Sequence, residues 1–332
     1  YLLIGVVALV VALGGIGYLL PAKRHIERSL EIGAPPATVY VILNSFRRFQ
    51  DWSPWKKHDP AALVTYSGPD VGVGATMAWS GEQGGGSQEI IATKANESVD
   101  IKLVFDGFEG DDYVAHYTLQ PTATGTLMTW SFDAEYRGVI GRYFGLIMDD
   151  MLGPDYEDGL NNLKALIEDL PTVDFSQLDV SVVETPSQTL AYISGTTSTD
   201  VAAITTAFSV AYSKVLAYLQ AQNLKPAGAR IGISRKWDEP AKVFEYDAGI
   251  PIENPPKDGE GEVKIGKTYA GKALKVRYQG SYKTMGPVYE ALFTYAAING
   301  YSQNGNLWEE YVSDPSTAAE ADLITHIYMP VK

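Results

Sequence analysis

The sequence predicts an α+β protein in three parts. An N-terminal transmembrane helix comes first, then an antiparallel sheet that grips one long helix, then a duplicated strand-helix-strand-strand domain. Three observations carry this. Residues 1–22 hold no charged side chain. From Ile26 to Leu170 the order is strand, short helices, a run of turn-punctuated strands and a long amphipathic helix. From Val180 onward, the order of strand, helix and two strands occurs twice.

Composition bounds what such a chain does. The 332 residues are 45% hydrophobic and 20% charged, enough apolar material for two sizeable cores. The net charge of −14 and the lack of a basic patch argue against nucleic acid as a partner. There is no cysteine, which excludes disulfides, thiolate metal sites and cysteine nucleophiles. The four histidines (His25, His58, His116, His326) have no metal-ligand spacing. Gly72-Val73-Gly74-Ala75-Thr76-Met77 lacks the last glycine of a dinucleotide loop, and no helix pattern follows it. There is no nucleophile elbow and no Walker-type loop. No catalytic residue, metal or cofactor is expected.

Leu2 to Leu20 is an almost unbroken run of Leu, Ile, Val, Ala and Gly, closed by Pro21 and flanked by Lys23, Arg24 and Arg28. At 1.5 Å per residue, about 20 residues span a bilayer core of about 30 Å. Leu20 at the small-residue position argues against a cleavage site before Lys23. The expectation is a single-pass anchor in a bacterial inner membrane. The basic flank alone favours cytoplasmic soluble domains, and a basic segment ahead of Tyr1 would reverse that. The side is open, with the periplasm preferred.

Residues 23–170 form the first soluble domain. Ile26 to Ile32 alternates as a strand does, Ala34-Pro35-Pro36 breaks it, and Ala37 to Phe46 reads as a short helix. From Ala62 to Ala134 strands are punctuated at Gly68-Pro69-Asp70, Gly84-Gly85-Gly86, Asn96, Gly107 to Asp112, and Thr124-Gly125. Tyr156, Leu160, Leu163, Ile167 and Leu170 make one apolar helical stripe. Asp149 and Asp150 suit the N-terminus of that helix through its dipole. Ile26-Glu27-Arg28-Ser29, Ala34-Pro35-Pro36, Trp52-Ser53-Pro54-Trp55, Tyr66-Ser67-Gly68-Pro69, Val71-Gly72-Val73-Gly74, Trp79-Ser80-Gly81, and Gly125-Thr126 before Thr129-Trp130 are similar to the SRPBCC (START-like, polyketide-cyclase-like) superfamily, in its membrane-tethered branch. The resemblance implies a helix-grip fold with a cavity for apolar small molecules or lipids. Trp52, Trp55, Trp79 and Trp130 are candidates to line it; Trp52, Trp55 and Trp79 are carried forward as binding residues. The competing reading is that large aromatics simply fill the core.

Residues 171–179 have no period and read as a linker, and residues 180–332 are the repeated domain. Its first helix carries Val201, Ile204, Phe208, Tyr212, Val215 and Leu219. The second carries Met285, Val288, Leu292 and Tyr295, with Asn299-Gly300 as its C-terminal cap. Two such units about a pseudo-dyad would pair their sheets and leave a groove along the dyad. In Trp308-Glu309-Glu310-Tyr311, strand alternation puts Glu309 and Tyr311 on one face and Trp308 and Glu310 on the other. One glutamate should thus face inward, as half of an ion pair or as a site for a cation. An Asp314-Pro315 turn and an apolar strand, Ala321 to Val331, follow. Gly280-Ser281-Tyr282, Gly300-Tyr301, Trp308-Glu309-Glu310-Tyr311 and Asp314-Pro315 resemble the GyrI-like effector-binding family. The resemblance implies that Glu309 lies in a pocket and attracts cationic aromatic ligands. Some members are hydrolases that use a glutamate with a tyrosine.

The candidate binding residues of this domain are Glu309, Tyr311, Tyr282, Trp308, Trp237 and Tyr192. A carboxylate with aromatic faces suits a delocalised cation. The leading expectation is a membrane-tethered binding protein for a lipophilic or cationic aromatic small molecule, without catalysis. Its partners would be that molecule and the bilayer, through residues 1–22. One alternative is an accessory or scaffold subunit of a larger membrane complex, respiratory or photosynthetic, with other subunits as partners. Another is a hydrolase that uses Glu309 and a tyrosine.

Overall fold

The computed structural model describes residues 2–107, 112–136, 138–176, 178–314 and 317–332. Within the turn expected at Gly107 to Asp112, residues 108–111 lie outside the described residues. So do Gln177 of the linker and Pro315 of the Asp-Pro turn. The chain divides into two compact units, Tyr1–Thr172 and Val173–Lys332. Each is mixed α and β, built on its own antiparallel sheet.

The first unit opens with helix α1 (Leu2–Leu19), followed by β1 (Lys23–Ile32), α2 (Pro36–Leu43) and α3 (Phe49–Trp52). Strands β2 (Leu63–Ser67), β3 (Thr76–Gly81), β4 (Gly84–Lys94), β5 (Ser98–Phe105), β6 (Asp112–Pro121) and β7 (Thr126–Glu135) follow as a meander. Short α4 (Val139–Phe144) and long α5 (Met148–Glu168) close the unit. The seven strands are ordered β1-β7-β6-β5-β4-β3-β2, so the first strand closes on the last. Helix α5 lies against β1 and β7. Of the expected stripe, Tyr156, Leu160, Leu163 and Ile167 are buried, and Leu170 falls just past the helix end. Asp149 and Asp150 sit in the first turn of α5, where Arg28 pairs with Asp149 at 3.1 Å.

One turn is displaced from its expected place. Gly84, Gly85 and Gly86 start β4, and the reversal falls on Glu82 and Gln83. Gly86 pairs directly with Trp79, and a Cβ there would lie 2.6 Å from the Trp79 ring and 2.4 Å from the Val104 carbonyl. The glycine makes room for an indole lying across the strand, a reason that a turn-based reading does not detect.

The second unit holds β8 (Val180–Thr185), β9 (Thr189–Thr197), α6 (Val201–Ala221), β10 (Arg230–Asp238) and β11 (Val243–Pro251). Then come β12 (Lys264–Lys267), β13 (Gly271–Gln279), α7 (Gly286–Ile298), β14 (Trp308–Tyr311) and β15 (Ile324–Pro330). The eight strands run β12-β9-β11-β10-β14-β15-β13-β8. The duplication is plain in this order: β9-β11-β10 mirrors β13-β15-β14, and β10 pairs with β14 at the centre. The outermost strands are exchanged. β8 precedes the first half yet pairs with β13 of the second, and β12 precedes the second half yet pairs with β9 of the first.

Helix α7 ends as expected, with Asn299 at the cap and Gly300 at φ +70°. Among the described residues, α6 is the one helix long and apolar enough to cross a membrane by length and composition alone. Its stripe of Phe208, Ala211, Tyr212, Val215 and Leu219 is packed against β9 and β11, which makes it a core helix of this unit. The N-terminal segment is helical as α1, and its crossing of a membrane remains an expectation.

The grip of α5 on its sheet sets a first prediction. Leu163 is fully buried, so Leu163→Ala should cost about 2–5 kcal/mol, read as a lower denaturation midpoint of the first unit.

Candidate functional site

The site is built on β14, a strand of four residues hydrogen-bonded on both sides. Glu309 pairs with Gly232 of β10 and with Ile327 of β15. Double pairing fixes which way each side chain points. Glu309 and Tyr311 face the helices, and Trp308 and Glu310 face the other side, as the alternation requires.

On the helix side, Glu309 accepts a hydrogen bond on each carboxylate oxygen. Tyr289 of α7 donates to Oε1 and Tyr311 donates to Oε2. Among the described residues no lysine, arginine or histidine pairs with this carboxylate. Burial pushes its pKa above the ordinary carboxylate value, and the two hydroxyls pull it part of the way back. Burial also raises both phenols well above the usual tyrosine value, so they stay protonated and act as donors.

Aromatic rings surround this trio from both helices. Tyr311 lies 5.6 Å from Tyr282 just before α7, and 6.2 and 6.3 Å from Phe208 and Tyr212 of α6. As whole residues Tyr282, Tyr289, Tyr311 and Glu309 are partly buried, while the Glu309 carboxylate itself is withdrawn from water. Gly232 lets the rings come close to the strand: a Cβ there would come within 2.6 Å of the Phe208 ring and 3.1 Å of the Tyr311 hydroxyl. Arg230, two residues earlier on β10, turns to Asp314 at 3.5 Å and stacks over Tyr212 at 5.7 Å.

The sequence-derived candidates separate into groups. Glu309, Tyr311 and Tyr282 are together. Trp308 lies on the opposite face, stacked on Tyr328 at 4.7 Å, in the cluster that also holds Tyr192. There Glu310 faces His326 at 3.2 Å and Tyr328 at 3.1 Å. Trp237 is 53% exposed and packs on Phe244, which in turn packs on Phe208. In the first unit, Trp52 and Trp55 meet at Trp130, which stacks on Tyr156 of α5 at 4.0 Å. Trp52 and Trp130 are fully buried there. Trp79 belongs to a separate aromatic line with Phe105 and Tyr113.

Tyr289, Tyr212, Phe208, Gly232 and Arg230 were not among the candidates. Tyr289 stands one position past Val288 of the buried stripe, on the flank of α7 rather than on its packed face. A tyrosine flanking an apolar stripe, beside a groove expected along the dyad, is the signal that could have found it.

Comparison with known families agrees with this two-part organisation. Residues 23–168 match the polyketide cyclase / dehydrase and lipid transport family, and residues 178–332 match the GyrI-like small molecule binding domain. A search of curated proteins returned no match. Among solved structures, the EcmrR C-terminal domain is similar over 47% of this chain and 98% of its own, at 17% identity and TM-score 0.42. EcmrR in a complex with DNA matches over 58% of this chain and 71% of that one, at 15% identity and TM-score 0.45. A hydrolase from Listeria innocua matches over 46% and 91%, at 12% identity and TM-score 0.36. None of these distant likenesses says what this chain binds, and the exclusion of nucleic acid on charge remains an expectation.

The raised carboxylate sets a prediction with a definite sign. Between the unfolded glutamate value of about 4.3 and the higher folded value, the folded state holds more proton than the unfolded one. The stability that this contributes is complete below the unfolded value and is lost as pH rises through the folded one. The stability difference between the native chain and Glu309→Gln should therefore shift against the native chain as pH rises through that window, in paired denaturant titrations. A difference independent of pH would contradict the assignment.

Proposed function

We propose that this chain is a membrane-tethered receptor for lipophilic aromatic cations, that Glu309 is the charge that recognises them, and that no reaction follows binding. The observation that carries the reading is the buried Glu309 carboxylate, which is held by two tyrosine hydroxyls and has no cationic partner among the described residues. Removing a carboxylate from water costs several kcal/mol, and hydrogen bonds to a charged group return about 1.5–3 kcal/mol each. Two phenols supply hydrogen bonds but no opposite charge. A cation supplies the charge, and a delocalised one also gains from the ring faces of Tyr282 and Tyr311. The GyrI-like match over residues 178–332 supports small-molecule binding in this unit.

Binding is favoured over hydrolysis by the same geometry. Each carboxylate oxygen already accepts a proton-bearing hydroxyl, an arrangement that holds the charge still rather than aiming a free base at a water.

The tether is α1. Its 18 residues are uncharged, and at 1.5 Å per residue they extend about 27 Å, close to the thickness of a bilayer core. Tyr18 and the basic pair Lys23 and Arg24 stand at its C-terminal end, the arrangement of an interfacial boundary. Lipophilic cations accumulate in membranes, so the tether holds the site beside their reservoir.

Titration of the full chain in detergent with tetraphenylphosphonium, against neutral triphenylphosphine oxide, tests the reading. The cation should raise the melting temperature of the second unit. Glu309→Gln should weaken it by about tenfold or more, a loss of about 1.4 kcal/mol, with little effect on the neutral compound. Cation affinity should also fall as pH drops through the raised Glu309 value. Equal cation binding by the native chain and Glu309→Gln would refute the proposal.

A further inference from the structure

We infer that residues 139–151, the α4 helix and the turn into α5, form a second membrane contact that lies in the interface of the leaflet through which α1 leaves the bilayer. The inference rests on α1 being inserted, and it adds a surface that the anchor alone does not require.

The segment is tied to α1 by specific contacts. Tyr143 donates its hydroxyl to the Leu13 carbonyl at 2.7 Å. Arg142 donates to the Tyr18 carbonyl at 2.7 Å and to that of Leu20 at 3.3 Å, with its guanidinium over the Tyr18 ring at 5.7 Å. Gly17 makes the close approach possible, since a Cβ there would fall 2.2 Å from Val139. The position of α4 along α1 is thereby set.

The outward side of this segment is apolar. No residue of α4 is buried. Ile140 is 83% exposed, and Phe144, Leu146, Ile147 and Met151 are each exposed by two-fifths to a half, next to Leu19 at 86%. A run of apolar side chains turned to water beside a helix end is costly, and lipid would remove the cost.

Depth and charge both select lipid as the occupant. Leu13, where Tyr143 attaches, lies about 9 Å from Leu19 at 1.5 Å per residue. That matches the 5–10 Å to which interfacial helices bury their apolar face. Arg24 and Arg142 each carry a buried Nε with no hydrogen-bond partner, and the aliphatic stem of Arg24 runs against Gly145. Arg24 and Arg142 put positive charge near headgroup level, where an anionic lipid surface attracts it. The acidic residues of the segment, Asp149 and Asp150, come at its far end, and Asp149 is paired with Arg28.

The chain has no cysteine, so single cysteines can be placed without background. Ile140→Cys, Phe144→Cys and Ile147→Cys would be labelled with an environment-sensitive fluorophore in the full chain. Val11→Cys in α1 and Leu63→Cys on β2 serve as references. The proteins go into phosphatidylcholine–phosphatidylglycerol vesicles that carry a nitroxide either near the headgroup or near the chain ends. The three segment labels should be quenched about twofold or more strongly by the shallow nitroxide than by the deep one, as an interfacial element requires. Val11 should respond to the deep nitroxide, and Leu63 to neither. If Val11 is quenched while the segment labels behave like Leu63, the segment stays in water and the inference is wrong, with the anchor intact. If Val11 is not quenched, the anchor reading fails and the inference falls with it.

Discussion

A carboxylate withdrawn from water has to be answered by something, and in the second unit the answer is incomplete. Tyr289 and Tyr311 satisfy the oxygens of Glu309 as hydrogen-bond acceptors but leave its charge unbalanced. The surrounding architecture holds that condition in place. Strand β14 is clamped by β10 and β15, so Glu309 has no freedom to turn towards bulk water. Helices α6 and α7 bring aromatic rings to it from two sides, and Gly232 lets Phe208 and the Tyr311 hydroxyl pack close against the strand. Under the proposed function a proton or a cation completes the site, and competition between the two would make it sensitive to pH.

The two units use aromatic residues in opposite ways. In the first unit Trp52 and Trp130 are buried against one another and against Tyr156, so the rings fill the space between sheet and helix. In the second unit Tyr282, Tyr289 and Tyr311 are half-buried and stand around a charge. Equal aromatic content therefore has different meaning. Filling stabilises a grip by apolar burial, whereas rings placed around a carboxylate supply it with hydrogen bonds.

Much of this was legible in local periodicity. The stripe from Tyr156 to Ile167, the alternation across Trp308 to Tyr311 and the repeated element order all appear at their expected positions, because each is set by the geometry of a single element. What escaped was set by pairing between distant elements. Tyr289 and Glu309 are 20 residues apart and meet only through the sheet order. The exchange of β8 and β12 leaves no local mark, since a strand pattern does not state its partner. Trp308 and Tyr192 show a different lesson. Alternation assigns Trp308 to the face opposite Glu309, whereas its aromatic character and the family resemblance point to the groove; the structure follows the alternation.

The direct pairing of Glu309 with Gly232 across the centre of the second unit has a consequence for how such a site arises. Two identical chains meeting on the same dyad would be bound to place the same residue at both related positions, so a carboxylate on one strand would be repeated on the other. Two such charges in one groove would repel each other and crowd the space that a ligand needs. Joining the halves in one chain removes that obligation. One half is then free to provide the charge and the other a glycine on which the rings around it can pack.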